Sequence, residues 1–389
     1  MKQLVYALFA SALLVSCQNE LYKDNAGQFE TAQGVYVPKE TGSAQLFLAD
    51  GANETNTALR VALAKPQGSA VKVTIRSGGK AQLDRYNKEN NTNFVLLPES
   101  MYELPSELTF APNQTHLSIP VKIKGLQFSG GTYALPLEIV SSDSKIINSQ
   151  KEAYLFINQI TLTKVWKSGG SEIVTMFPET VSTGTWTYEA MVRRSAYSQN
   201  NRSVFGSKTD GGVNHEIYIR FGDVTIQTNQ LQIKTAGGQI DIPADKLSAK
   251  PNEWYMLSFV YDNTNVIVYV NGVEVARDQI RPGEVYTMKG VWIGGANELV
   301  REVRIYKSAR TAEQIKASVW KMVDPNDENL ICYFPLNGKK RDASTGVITE
   351  DETGIWDWSK NGYHITDKKG STFVDDNGKP FRFPLEDGK

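Results

Sequence analysis

Few residues in this chain have the types and spacing that do chemistry. Two carboxylates ~5 Å apart can cleave a glycosidic bond, one as nucleophile and one as acid–base. A strand reading Glu-x-Asp-x-x-Glu would aim them into one groove. The nearest approach is Gln239-Ile240-Asp241-Ile242-Pro243-Ala244, where both glutamates are missing, replaced by Gln239 and Ala244. An amide is neither nucleophile nor acid, so Asp241 alone cannot run the cycle. It reads as a solvated residue on an edge strand. The three histidines, His116, His215 and His364, are scattered without ligand spacing. No nucleophile elbow and no phosphate loop is present. Glu350-Asp351-Glu352 reads as an exposed acidic loop rather than a calcium site.

Aromatic rings offer another chemistry, because the C–H face of a sugar stacks on a flat ring. All seven tryptophans lie beyond residue 160, at 166, 186, 254, 292, 320, 356 and 358. Trp186, Trp254 and Trp292 fall in alternating segments and read as core. Trp320 closes a helix and packs it down. Trp356, Trp358 and Tyr363 sit in a Gly- and Asp-containing loop, where large rings need another reason to be. With Tyr197 they are the candidate glycan-binding residues, against a competing role in pinning a long loop. Trp356 and Trp358 are two apart, so an extended segment would point both to one side. Asp357 is the candidate ligand should a calcium be bound. Its alternative is to cap its own loop through the amide of Ser359 or Lys360.

The elements that would position these residues read as strands almost throughout. Leu59, Val61 and Leu63, then Val71, Val73 and Ile75, alternate with polar or small neighbours. Leu117 to Ile123 and Tyr133 to Ile139 do the same. Such period-2 patterning fits antiparallel sandwiches with one face on a core. Pro120 and Pro136 inside these runs predict edges or bulges. Ala81 to Asn90 is the one helical piece of this half. Further on, Trp186 to Val192, Trp254 to Tyr261, Val266 to Val270, Val291 to Gly295 and Arg301 to Tyr306 read as strands. Asn271-Gly272 predicts a tight hairpin. Thr311 with Gln314 predicts a capping box, with Ala312, Ile315 and Val319 along one helix face.

Composition narrows the class. Lysine and arginine number 42 against 43 acids, a formal net charge of -1, so nucleic acid is no expected partner. Length predicts two domains. The cysteines are Cys17 and Cys332. Cys332 lies in an apolar run and reads as a buried, inert thiol. Behind Met1-Lys2, Leu4 to Val15 form an apolar stretch of 12 residues. That is too short to span a bilayer, which takes ~20. Leu14-Val15-Ser16-Cys17 closes it and resembles the lipobox of bacterial lipoproteins. The resemblance implies signal cleavage, acylation of Cys17, and a membrane contact through the lipid alone. Residues 18 to 33 read as a polar tether. Glu20 and Asp24 favour display on the outer face of the outer membrane, as in Bacteroidetes-type lipoproteins.

Two further resemblances cover the rest. Ala81 to Asn87, Asn91 to Pro98, Met101-Tyr102, Phe110 to Asn113 and Gly130 to Leu137 look like a domain of unknown function. It stands at the N-terminus of many Bacteroidetes surface lipoproteins and of some endo-β-N-acetylglucosaminidases. This implies an immunoglobulin-like sandwich over 34–158, without catalytic residues. No Asp-rich strand ending in Glu and no α/β alternation of the associated barrel enzymes appears. Residues 160–389 resemble laminin-G-like, concanavalin A-type jelly rolls. Glu302 to Tyr306 followed by Ala309 to Ile315 is the most specific piece. Asn329 to Leu336 and Asp357 to His364 look like the opening strand and loop of such modules, yet come last. That implies a circular permutation, with the usual first strand supplied from the C-terminus. The expectation is an all-β, non-catalytic surface lipoprotein binding a polysaccharide or glycoprotein glycan through its second domain. A glycoside hydrolase with an unfamiliar site, and a scaffold for an outer-membrane glycan importer, are the alternatives.

Overall fold

The structure, a computed structural model, describes residues 34–385 apart from 91, 129–131, 210–214, 236 and 296–297. Cys17 and the tether lie outside the described residues. The chain forms two compact units. One takes the described residues up to 127 with 132–158, the other takes Phe128 and those from 159 onward.

The first unit is built from β1 (Val35–Tyr36), β2 (Ser43–Leu48), β3 (Glu54–Asn56), β4 (Arg60–Leu63), β5 (Val71–Ser77), β6 (Val95–Leu96), β7 (Tyr102–Glu103), β8 (Glu107–Phe110), β9 (His116–Ser118), β10 (Val121–Ile123), β11 (Tyr133–Ser142) and β12 (Glu152–Gln159). One sheet runs β2-β12-β11-β5-β8, with β6 parallel to β11. Two three-stranded sheets run β1-β4-β9 and β3-β10-β7. Alternation on β5 buries Val71, Val73 and Ile75 and leaves Lys72 and Arg76 in water. Helix α1 (Gly79–Asn90) sets Leu83 on Ala134 and Phe156, with Tyr86 and Phe94 beside them. This is the immunoglobulin-like sandwich. Of the two alternatives for Pro136, an edge or a bulge, β11 takes the second: it is an inner strand whose register on β5 shifts between Ile139 and Ser141. The Pro136 carbonyl accepts from Gly78 N, one residue past the end of β5. The missing N–H therefore falls on the last rung and weakens the ladder little.

The second unit holds β13 (Thr161–Thr163), β14 (Val165–Lys167), β15 (Ile173–Thr183), β16 (Trp186–Arg194), β17 (Arg202–Lys208), β18 (Ile217–Phe221), β19 (Leu231–Thr235), β20 (Gly238–Asp241), β21 (Trp254–Tyr261), β22 (Val266–Val270), β23 (Val273–Asp278), β24 (Tyr286–Ile293), β25 (Glu298–Tyr306), β26 (Leu330–Phe334), β27 (Lys339–Arg341), β28 (Ile348–Glu350), β29 (Thr372–Val374) and β30 (Phe381–Phe383). An eight-stranded sheet runs β23-β22-β21-β16-β25-β14-β29, with β26 also on β25. A six-stranded sheet runs β15-β24-β17-β18-β19-β20. Tyr188, Ala190, Leu257 and Phe259 from the first meet Phe205, Ile219 and Ile233 from the second in one core. Asn271 and Gly272 take φ of 51° and 80°, and close the β22–β23 hairpin.

The outer face of the eight-stranded sheet is covered by the chain's own C-terminal part. Helix α2 (Ala312–Ser318) starts in the capping box of Thr311 and Gln314. Ile315 packs on Val260, Ile267 and Tyr269, whereas Ala312 stays exposed. Trp320, Phe381 and Phe383 lie over Met191, Trp254 and Met256. β26 pairs antiparallel with β25, matching Val303 to Phe334 and Ile305 to Cys332. The late segment thus supplies a fully buried strand. Burial pushes the Cys332 thiol well up, which keeps it inert.

Charges are trapped under this cover. Arg304, fully buried, donates Nη1 to Glu189 at 3.2 Å and Nη2 to Glu302 at 2.8 Å. Arg310 and the Ser258 hydroxyl complete Glu189, and Arg301 and the Tyr333 hydroxyl complete Glu302. Arg304→Ala would strand two buried carboxylates. It should cost about 3–5 kcal/mol in denaturant unfolding of this unit. Ending the chain after Val323 removes β26 and half the cover. Circular dichroism should then find the second unit unfolded, and a soluble folded 160–323 fragment would contradict this packing.

Candidate functional site

The loop rings prove to be parts of the packing. Trp358 is 4% exposed, packs with Tyr306, Leu330 and Tyr333, and donates Nε1 to Lys339 O. Trp356 is half-buried on the same cluster and donates Nε1 to Asp351 O. Lys340 Nζ stands 4.3 Å from its ring centre and His364 meets it edge-on. The buried Trp358 indole has no face left for a sugar, whereas Trp356 stays partly exposed. Tyr363 stacks on Phe177 at 4.4 Å between centroids, against the main core. Tyr197 is half-buried against that core, edge-on to Phe221.

Asp357 is an internal staple. Its Oδ1 accepts from the Tyr333 and Ser359 amides, and its Oδ2 from the Ser359 hydroxyl and the Tyr363 amide. Burial pushes its pKa up while these four bonds oppose the rise. The Lys360 amide is no partner in this set. Of the acidic run, Glu350 pairs with Lys339, Glu352 with Lys164, and Asp351 caps Thr353. Among the described residues no three His, Cys, Asp or Glu side chains gather with metal-binding spacing. Asp357→Ala leaves three amides without acceptors and should lower stability by roughly 3 kcal/mol, measured by urea unfolding.

The open sheet face is the outer side of the six-stranded sheet. The registers align one row of side chains across all six strands. Val174 on β15 faces Trp292 on β24, which faces Gly206 on β17. Gly206 faces Tyr218 on β18, Tyr218 faces Lys234 on β19, and Lys234 faces Gln239 on β20. The row runs from apolar through aromatic to polar. Its inner neighbours, Ile217, Ile219, Ile233 and Ile240, point into the core, as alternation requires.

Gly206 shapes the middle of the row. A Cβ there would stand 1.9 Å from Ile217 O and 2.5 Å from the Trp292 ring. The indole therefore lies over the gap, anchored by Nε1 to Ser207 O. Tyr218 sits 5.1 Å from it and Lys208 Nζ 5.7 Å. Trp292 is thus fully buried, as its alternation suggested, but on the outer face of the six-stranded sheet rather than between the two sheets.

A second row is locked by hydrogen bonds. Arg220 donates to Gln232 Oε1 at 2.8 Å, to Asn201 Oδ1 at 2.7 Å, and to Asp223. Gln232 Nε2 reaches both Asp241 and Asp223. The Val224 amide, and behind it Arg220, hold the Asp223 carboxyl below its usual range. That is the wrong direction for a general acid at neutral pH. Asp241 lies on edge strand β20, bonded to Gln232 and Thr225. A groove of about 560 Å³ follows the face, lined by Asn201, Glu216, Tyr218, Arg220, Lys234 and Gln239 among others.

Sequence reasoning missed this array. Tyr218 and Arg220 flank the core residue Ile219, and Gln232 and Lys234 flank Ile233, on ordinary alternating strands. Only pairing brings them together. The available signal was Tyr218 and Arg220 on one side of a strand, with Gln232 and Lys234 on the next.

Comparison with known proteins defines the class. Residues 168–316 match the concanavalin A-like lectin/glucanases superfamily, and residues 29–146 match a family of N-terminal domains. The second unit is a laminin-G-like, concanavalin A-like module, preceded by an N-terminal domain of that other kind. The chain is similar over 90% of its length to a structure from Bacteroides ovatus described as a "putative carbohydrate binding protein". It covers 99% of that chain at 23% identity and a TM-score of 0.62. It also resembles EndoBT-3987 from Bacteroides thetaiotaomicron at 25% identity and a TM-score of 0.27, over 32% of this chain and 30% of that one. A SAP-like pentraxin from Limulus polyphemus aligns at 14% identity and a TM-score of 0.31, over 41% and 81%. Of these three, only the first is a likeness of the whole chain, and it supports the fold. No curated protein matches.

Proposed function

We propose that this chain is a non-catalytic lipoprotein that holds a glycan on the outer face of the six-stranded sheet. The cross-strand row Trp292–Gly206–Tyr218–Lys234–Gln239 carries the reading. Tyr218 offers a half-exposed ring beside exposed amide and ammonium groups, the two kinds of contact a pyranose makes. The second row is already hydrogen-bonded, so little side-chain entropy is lost on binding. The "carbohydrate binding" description of the Bacteroides ovatus protein is consistent with this assignment.

The glycoside hydrolase reading finds no general acid in Asp223, whose carboxyl its neighbours hold below the usual range. A scaffold for a glycan importer would instead bind protein and no polysaccharide. A glycan array on the chain lacking residues 1–17 separates the three. Retention without released reducing ends supports the proposal, released ends support an enzyme, and no retention supports the scaffold. Tyr218→Ala should weaken binding by roughly 1–3 kcal/mol, on the scale of base–aromatic stacking. Lys234→Ala, at an exposed position, should weaken it with the melting temperature unchanged.

The anchor belongs to the same proposal. Acylated Cys17 would tether the chain to the outer membrane, facing the cell exterior. Cys17→Ala should move the protein from the membrane pellet to the soluble fraction, and its persistence in the pellet after a high-salt wash would contradict the lipobox.

A further inference from the structure

The face groove does not end at the edge of its sheet. Gln239 also lines a second groove of about 440 Å³, between edge strands β20 and β23. Its other walls include Asp241, Pro243, Val275, Arg277 and Asp278. Val275 and Ala276 are half-buried against the core and give this groove an apolar floor. Arg277 is fixed by two 2.9 Å bonds to Glu274. Gln239 itself is exposed, and among the described residues its amide reaches Asp241 alone, at 3.3 and 3.4 Å. One movable amide therefore stands at the junction of two grooves.

The geometry points to a continuous track for a neutral, linear glycan bound in mid-chain, turning from the sheet face over β20 onto the side of the sandwich. This rests on the glycan reading of the sheet face. Length follows from the spacings. Two strand separations of ~4.8 Å and one inter-sheet distance of ~10 Å give ~20 Å, room for about four pyranose units. Both grooves lie open to solvent rather than closing round a chain end. Charge sets the class. Arg220 is occupied by Asp223 and Arg277 by Glu274, while Glu216, Asp241 and Asp278 line the track with Lys234. An anionic polymer would meet no excess of cations.

Calorimetry with neutral oligosaccharides of two to eight units tests this. The probes are β-glucan, xylan, mannan and chitin ladders, with polygalacturonate and chondroitin sulfate as anionic chains. The affinity of the ladder that binds should rise up to about four units and then level off, spanning at least about tenfold, the effect of one well-made contact. Asp278→Ala should bring tetramers and longer chains down to the trimer's affinity and leave dimers unchanged. Tyr218→Ala should weaken every length. Affinity independent of length, an Asp278→Ala effect equal at all lengths, or preference for the anionic chains would overturn the track and leave the sheet-face reading standing. Failure of every chain to bind would overturn the sheet-face reading, and the track with it.

Discussion

Arg304 holds Glu189 and Glu302 apart and satisfies both, and the second unit depends on that clamp. Glu189 belongs to β16, Arg304 and Glu302 to β25, and the Tyr333 hydroxyl that completes Glu302 to β26. Charges so deep are tolerated only when every partner stays in place. Arg304 also bonds the carbonyl of Lys321, just past α2. The network therefore ties the central strands to the segment that covers them. Once that face is closed, the outer side of the six-stranded sheet is the more open of the two sheet faces.

That constraint explains the division of labour among the tryptophans. Trp320 and Trp254 fill the sealed side with Phe381 and Phe383, and Trp186 fills the core between the sheets. Trp356 and Trp358 hold the long loop that follows β26, with Asp357 gathering its amides. A loop this long needs such an internal core to keep one conformation. Trp292 alone lies toward the open face, under Tyr218 and Lys208, as a floor rather than a contact surface.

The open face is held rigid by its own contacts. Gly206 removes a side chain from the centre of the row, so two rings pack where three residues would crowd. Arg220 is held by three neighbours and cannot fold away from the sheet. The Val224 amide, with Arg220 behind it, keeps the Asp223 carboxyl below its usual range beside this array.

Much of the fold was legible in the sequence, because alternation and turn chemistry are local. Val71, Val73 and Ile75 announced a strand with one buried face, Asn271-Gly272 a hairpin, and Thr311 with Gln314 a helix start. The late strand Leu330–Phe334 was also visible, as an apolar run out of its usual order. The binding face was not. Tyr218, Lys234 and Gln239 lie in different strands, and their meeting depends on registers that long-range pairing alone sets. Nor could the sequence tell a stacking ring from a packing ring, since Trp356 and Trp358 look the same in either role. Burial decides that, and burial is a property of what the rest of the chain brings over the ring.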